Sequence, residues 1–275
     1  MDWFLDDRLP YISAFFKISV SRYTHVLLVA VMLSSGLAGC LEDSMQEEGL
    51  DLVVVYEATN GTVYETYEGG EQTSLQGVTL DFDFSQTTSD GTLLRFGVNL
   101  LDGSPATTVE ATDGDVVSVE FTDHGLHEIA LFALDDKAQQ MITTITVRIE
   151  WSIDWYESTT YDPIPMPLDT IPTNEGMPPA AILIQSSVIN PLLLDNVGGG
   201  RDVEVTWGLI DALDLACQQQ EGRVSDGETI TWNTVHFNTY EVHELDVSYD
   251  DGQDYIDIEH NIFIQYEALE TSPTT

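Results

Sequence analysis

The sequence predicts an all-β protein made of two antiparallel β-sandwiches that are joined by a proline-rich linker. Short segments in which apolar and polar residues alternate recur along residues 51–151 and again along residues 180–270, which is the pattern of half-buried strands. Five Asp-Gly pairs separate such segments, and Asp-Gly favours tight hairpin turns because both residues tolerate positive φ. Six of the ten prolines lie between residues 163 and 179, where they remove backbone donors and stiffen the chain.

Residues 1–39 have the organisation of an export signal. Lys17 and Arg22 precede the apolar stretch 26–33, and small residues follow it, which is the order of a signal peptide that is cleaved after export. The apolar stretch is too short for a permanent membrane-spanning helix, which needs about 20 residues. We therefore expect residues 1–39 to be removed and residues 40–50, which are polar, to form a tether.

The end of this leader, Leu37-Ala38-Gly39-Cys40, resembles the lipobox of prokaryotic lipoproteins. The resemblance implies that the Cys40 thiol receives a diacylglyceryl group and that Cys40 becomes the first residue of the mature protein. Two acyl chains hold a protein firmly on a membrane, whereas one chain binds only reversibly. We expect an exported protein that is anchored to the outer face of the cytoplasmic membrane. The alternative is an ordinary signal peptide with a chance cysteine.

The chain is strongly acidic, with 48 acidic and 8 basic residues. Residues 1–39 hold three of each, so the remainder keeps 45 acidic and 5 basic residues and a formal net charge of −40. Such a charge excludes nucleic acid as a partner, because no basic surface can form. We favour adaptation to high salt, as in salt-adapted archaea, since salt screens the self-repulsion. Binding of Ca²⁺ by carboxylate clusters is the alternative.

Alternation defines the strands of both predicted sandwiches. In the first, the odd residues of 141–149 are mostly apolar and the even residues from 144 to 150 are polar. In the second, Val203, Val205 and Trp207 share one strand face, and so do the even residues of 256–266. The prolines place the linker at residues 152–179, and residues 271–275 read as a frayed tail.

Residues 76–150 resemble the PKD domain, an immunoglobulin-like sandwich of microbial surface proteins. The matching stretches are Ser89-Asp90-Gly91-Thr92, a strand with Gly125, Ile129 and Leu131, the pair Asp135-Asp136, and the Thr/Val-rich strand 141–149. The sequence departs from the family pattern at His127, where a tyrosine is expected, and at the segment FGVNLLDG. The resemblance implies an immunoglobulin-like first unit with a spacer or protein-interaction role, although fold alone does not fix function. We expect the second sandwich to be immunoglobulin-like as well, which gives two immunoglobulin-like units.

Only two cysteines are present, Cys40 and Cys217, so no disulfide framework is expected once Cys40 carries lipid. Leu209, Leu213 and Cys217 share a helical spacing, and no basic residue close in sequence would activate the thiol. We interpret Cys217 as a buried, inert thiol.

Three histidines of the second unit, His236, His243 and His260, are a candidate zinc site if neighbouring strands bring them together. Three imidazoles are a known zinc-ligand set. No close spacing such as His-x-His supports the site, and His260 lies between Ile258 and Ile262 on an apolar strand face. A structural role in the core is therefore the favoured interpretation.

Carboxylates at Asp250, Asp251 and Asp254 bracket a turn and are a weak candidate for Ca²⁺, which prefers hard oxygen ligands. The segment lacks the order of an EF-hand loop, so a plain hairpin turn is favoured. Asn60 begins the only Asn-x-Ser/Thr sequon and is a weak glycosylation candidate.

No nucleophile elbow, P-loop, dinucleotide-binding fingerprint or His-Glu-x-x-His motif occurs in the chain. We therefore expect no catalytic residues and no cofactor. The sequence predicts a non-enzymatic, lipid-anchored envelope protein with an interaction or spacer role towards other surface proteins or glycans. A surface lipoprotein that binds a solute or Ca²⁺ is the alternative, and an extracellular hydrolase or redox domain ranks behind both.

Overall fold

The computed structural model describes residues 49–192 and 201–274, all of which belong to one compact unit, Glu48–Thr275. The predicted leader and Cys40 lie outside the described residues. The prediction of an all-β protein is confirmed, because every helix or strand assigned within the described residues is a strand. Those residues accordingly contain no helix that is long and apolar enough to cross a membrane.

Fifteen strands form three sheets. They are β1 (Asn60–Glu68), β2 (Glu71–Gln76), β3 (Val78–Asp83), β4 (Leu93–Asn99), β5 (Thr107–Glu110), β6 (Val116–Phe121), β7 (Gly125–Asp135), β8 (Gln140–Thr160), β9 (Met166–Leu168), β10 (Ala181–Ile189), β11 (Val203–Ile210), β12 (Ala216–Val224), β13 (Thr229–His236), β14 (His243–Asp251) and β15 (Ile256–Gln265). The nine-stranded sheet has the path β13-β10-β15-β8-β7-β4-β5, with β1 paired to β8 and β2 paired to β1. The smaller sheets have the orders β12-β11-β14-β9 and β3-β6.

Each half of the molecule is a two-layer sandwich with its own apolar core. In the first half, β3 and β6 pack against the β4, β7 and β8 face through residues such as Phe82, Val117 and Leu131, which are fully buried. In the distal half, β11 and β14 pack against β10 and β15 around Trp207, which is also fully buried. The alternation predicted for residues 203–207 and 256–266 is confirmed, since the residues of the predicted apolar faces, such as Val205 and Ile262, are buried.

Strand β8 is 21 residues long and belongs to both halves. Residues 140–149 pair with β7, residues 151–160 pair with β15, and residues 148–156 pair in parallel with β1. This parallel pair departs from the predicted, wholly antiparallel arrangement. The first part of the predicted linker, 152–160, is therefore strand. The reason is that alternate side chains, including Ile153 and Trp155, continue to be buried beyond residue 151, whereas the first proline of this region comes only at residue 163.

The C-terminal segment 267–274 returns to the first half and is hydrogen-bonded there. Thr271 donates its backbone N–H to Thr146 O at 2.9 Å, and Thr274 donates to Tyr56 O at 3.1 Å. Arg148 forms two hydrogen bonds to the Glu270 carboxylate, at 2.8 and 2.9 Å. The predicted frayed tail is thus wrong for residues 271–274, because threonine side chains and backbone supply partners that the sequence pattern does not reveal.

The described chain begins at one pole of the molecule. Asp51 pairs with Thr88 in a bridge, and the neighbouring Ser89 donates to the buried Asp135 carboxylate at 2.7 Å, beside the turn between β7 and β8. From that turn β8 runs to Thr160, a path of about 65 Å at the usual rise per strand residue. The start of the folded part and the end of β8 therefore lie at opposite poles.

Candidate functional site

The three histidines that the sequence offers as a zinc site do not converge. His260 is buried in the distal core, where its Nδ1 lies 2.8 Å from Ser186 Oγ. Trp207 Nε1 donates to the same hydroxyl at 2.8 Å. Burial lowers the pKa of His260 to about 3, so the ring is neutral and fully used by the core. The zinc trio is therefore wrong in its third member, whereas the core role is confirmed.

His236 and His243 do meet, and Cys217 joins them. The Nε2 atoms of the two histidines are 3.1 Å apart, and the ligand atoms of all three side chains lie within 4.8 Å of one another. Among residues 49–192 and 201–274, no other three His, Cys, Asp or Glu side chains come this close. We call these three residues the Cys-His-His cluster.

Strand ends position the Cys-His-His cluster. Cys217 is the second residue of β12, His236 is the last residue of β13, and His243 is the first residue of β14. The loop 237–242 turns the chain between the two histidines and moves it from the nine-stranded sheet to the four-stranded sheet. The cluster therefore bridges the two layers of the distal sandwich at the end of their strands. Gln218 ties β12 to β13 by donating to Val235 O at 3.1 Å and accepting from Thr234 Oγ1 at 2.5 Å.

Burial differs within the cluster. His243 is 1 % exposed, His236 is half-buried and Cys217 is exposed. The prediction of a buried Cys217 is wrong, because its segment forms the edge strand β12 instead of a helix, so the helical spacing with Leu209 has no structural meaning. The cluster is a shallow site with a buried imidazole as its floor and a thiol at its rim.

Burial and neighbouring charges shift the pKa values of two side chains of the Cys-His-His cluster, His236 and Cys217. Desolvation and the neighbouring His243 lower the pKa of His236, although Glu241 opposes this. Burial and the carboxylates of Asp211 and Glu241 raise the pKa of the Cys217 thiol. The lowered pKa of His236 favours its neutral ring, and the raised pKa of Cys217 favours its protonated thiol.

One nitrogen of the cluster has no partner. His243 Nδ1 is buried and accepts or donates no hydrogen bond within the described residues. Buried polar atoms are nearly always satisfied, and each exception asks for an explanation. The ring is held with its other nitrogen, Nε2, directed at His236 rather than at a backbone partner.

Two of the three candidate Ca²⁺ ligands accept hydrogen bonds from other parts of the fold. Asp254 is buried, and its Oδ2 accepts the Arg201 backbone N–H at 2.5 Å. Asp250 accepts from Thr206 Oγ1 at 2.6 Å, while Asp251 is exposed at the end of β14. The three carboxylates do not form a close group within the described residues. The hairpin-turn interpretation fits this placement better than a Ca²⁺ site.

Asn60, the glycosylation candidate, is exposed at the start of β1, and its Nδ2 donates to Glu270 Oε1 at 3.1 Å. A glycan on this nitrogen would remove one of the two protons of the amide and disturb the contact with Glu270. Glycosylation of Asn60 therefore stays a prediction.

Two histidines that the sequence analysis did not single out as a pair lie where the halves meet. His124 stacks on Trp151 with ring centroids 4.7 Å apart, and its Nδ1 lies 2.7 Å from Tyr266 Oη. His127 packs on Phe121, and its Nε2 lies 3.2 Å from Asp123 O. His127 also lines a groove of about 680 Å³ whose walls include Asn174. Burial lowers the pKa of both rings, to about 4 for His124.

Comparisons with known proteins do not identify a family. No family model matches the chain, and no curated protein matches it. Similar solved structures include carbohydrate-binding modules of the β-sandwich superfamily, 8 % identical over 81 % of this chain and 94 % of that chain, with a TM-score of 0.29.

Two further structures belong to proteins of Bacteroides. A β-glucuronidase of Bacteroides uniformis is 8 % identical over 78 % of this chain and 30 % of that chain, with a TM-score of 0.26. The protein SGBP-B of a Bacteroides ovatus mixed-linkage glucan utilization locus is 9 % identical over 75 % of this chain and 52 % of that chain, with a TM-score of 0.21. This chain thus spans less than two thirds of either. At these TM-scores the similarities carry no argument about ligand or activity.

Proposed function

We propose that this protein is a lipid-anchored, non-catalytic spacer of the cell envelope, exported and held by Cys40 at the outer face of the cytoplasmic membrane. Its distal half would stand away from the membrane surface and contact other surface proteins or glycans. The proposal combines the lipobox-like leader with the arrangement of the folded residues.

A single observation carries the spacer role, namely that the folded part begins beside the first end of the long strand β8. Asp51 lies beside the turn that precedes β8, and β8 then extends about 65 Å towards the opposite pole. Leu50 follows Cys40 by only ten positions. A lipid on Cys40 would therefore hold the first half near the membrane and direct the distal half outward.

Side-chain packing and strand pairing stiffen the junction between the two halves. Trp151 lies on β8 and packs against both cores, and His124 stacks on its ring. The parallel pairing of β1 with residues 148–156 of β8 crosses the same region. Because a continuous strand with partners on both edges resists bending, we expect the distance between the poles to be nearly constant.

The distal half offers apolar side chains for contact with a partner. The most exposed large hydrophobic side chains of the described residues include Leu213, Phe237 and Tyr240, at 73–76 % exposure. They lie in the two turns that flank the Cys-His-His cluster in sequence. Exposed aromatic side chains are enriched at recognition surfaces.

The anchor is tested by two matched cysteine variants. Cys40→Ser should release the protein from the membrane fraction into the medium and abolish the lipid mass on the mature N-terminus. Cys217→Ser removes the only other thiol and should leave both unchanged. Retention of Cys40→Ser in the membrane would refute the anchor.

The spacer role is tested by energy transfer between the protein and a dye in the lipid surface. A label at Asp90, near the first pole, should transfer strongly, whereas a label at Gln253, near the end of β8, should transfer weakly. Equal transfer from both positions would show that the molecule lies flat on the membrane.

A further inference from the structure

We propose that Cys217, His236 and His243 bind one Zn²⁺ ion and leave a fourth coordination position open to solvent. The site is independent of the spacer function and does not require that Cys40 be lipidated. Its ligands come from three different strands of the distal half.

The geometry of the cluster is close to that of a zinc site. Zn–N bonds of about 2.0–2.1 Å at a tetrahedral angle place two nitrogens about 3.3 Å apart, and the two Nε2 atoms are 3.1 Å apart. The Cys217 Sγ lies within 4.8 Å of both. The exposed end of β12, which carries Cys217, needs to close by only about 1 Å to bring Zn–S to about 2.3 Å.

The ligand types favour zinc over the hard cations. Two imidazoles and one thiolate form a borderline-soft set that suits Zn²⁺, whereas Mg²⁺ and Ca²⁺ prefer oxygen. Catalytic and exchangeable zinc sites commonly have three protein ligands and one water. The rim position of Cys217 provides the open side.

The burial and orientation of the His243 ring are the second observation that points to a ligand. His243 is 1 % exposed, and its Nδ1 has no hydrogen-bond partner within the described residues. The protein nevertheless holds this ring in the core with Nε2 directed at the other ligands. A cation bound to Nε2 would replace the contact between the two imidazoles and would place the ring proton of His243 on Nδ1.

The charges around the cluster attract a cation. Asp211, in the turn between β11 and β12, and Glu241, in the loop between β13 and β14, both act on the Cys217 thiol. His236 and His243 are the other titratable groups that face it. Cysteine binds zinc as the thiolate, so zinc binding at this site would release the thiol proton of Cys217.

The first experiment titrates the full-length protein in detergent with Co²⁺ and then with Zn²⁺, in millimolar Mg²⁺ to occupy the surface carboxylates. Co²⁺ should saturate at one ion per chain and produce a thiolate-to-cobalt charge-transfer band with intense visible bands of tetrahedral geometry. Zn²⁺ should displace it and bleach these bands. Absence of a saturable band would overturn the proposal.

Three variants assign the ligands. Cys217→Ser should remove the charge-transfer band. His236→Gln should weaken the binding of Co²⁺ and Zn²⁺. The loss of affinity should exceed the roughly 10–100-fold that follows when a residue supporting a metal ligand is lost. His127→Gln changes a histidine outside the cluster and should leave binding unchanged. Cys217 is exposed, so its variant should fold normally. A band that persists in Cys217→Ser would also overturn the site, whatever the state of Cys40.

Discussion

One pair of histidines in each half of the molecule shows two different uses of this side chain. In the first half, His124 and His127 each have a partner outside the pair, Tyr266 Oη and Asp123 O respectively. In the distal half, the closest polar contact of His236 and His243 is with each other. The difference teaches that a half-buried histidine is structural where the fold supplies its partner. A half-buried histidine is a candidate metal ligand where its nearest polar neighbours are other potential metal ligands, as beside Cys217.

The halves resemble each other in packing, however, and they share β8. The largest expected effect tests whether they are also one thermodynamic unit. Leu131→Ala in the first core and Leu209→Ala in the distal core both remove a fully buried side chain, and each should cost about 2–5 kcal/mol.

If the shared strand couples the halves, both variants should lower the midpoint of one common unfolding transition, measured by calorimetry or by denaturant with two spectroscopic probes. Two separate transitions, each moved by only one of the variants, would mean that the halves are independent domains in spite of β8.

The next largest effect concerns the histidines that the fold satisfies. The folded pKa values of about 4 for His124 and about 3 for His260 lie below the ordinary value of 6.5. The unfolded chain therefore binds more protons than the folded chain below pH 6.5. Stability is fully present above that pH and falls by up to about 1.4 kcal/mol per pH unit for each ring as the solution is acidified.

His124→Phe keeps a ring against Trp151 but cannot titrate. The wild type should therefore lose unfolding free energy relative to this variant as the pH falls from 6.5 to about 4. A difference that does not change with pH would mean that the folded protein leaves the pKa of His124 at its ordinary value.

A smaller effect compares two ion pairs of the first half. Glu270 is 13 % exposed and bonds twice to Arg148, and the guanidinium holds its pKa at about 2. Glu270→Gln should cost about 1.5–3 kcal/mol, as expected for partly buried hydrogen bonds to a charge. Glu110→Gln removes the partner of Arg95; this glutamate is 48 % exposed, and its loss should cost under about 1 kcal/mol. Equal costs would show that the C-terminal segment does not clamp the first half.

The smallest effect per site comes from the acidic surface. From Cys40 onward the chain has 45 acidic and 5 basic residues, so NaCl should raise the unfolding midpoint because it screens their repulsion. Ca²⁺ at the same ionic strength should add nothing further, since Asp250, Asp251 and Asp254 do not form a close group within the described residues. A specific rise with Ca²⁺ would revive the Ca²⁺-binding alternative.

The strands were predictable because burial in a sheet leaves a period of two. Val203, Val205 and Trp207 alternate in sequence and are buried in the structure. The continuity of β8 was not predictable in the same way. The prolines after Thr160 indicated a linker, and the predicted linker therefore began at residue 152, within the strand. Pairing between distant segments, such as β1 with β8, leaves no local signal.

The site was half predictable. His236 and His243 were candidates because of their residue type, but nothing in the spacing excluded His260 or included Cys217. The spurious helical spacing of Leu209 and Cys217 hid the fact that β12 is an edge strand. The one available signal was the pair of histidines seven positions apart around a polar loop, which is compatible with two strand ends that face each other.

The hydrogen bonds of the last residues have a consequence for the order of synthesis. Thr146 and Tyr56, which lie earlier in the chain, receive their partners from Thr271 and Thr274. A ribosome or an export channel that delivers the chain from its N-terminus must therefore release nearly every residue before the earliest part can complete its fold. A premature stop codon near the end would destabilise the beginning of the protein.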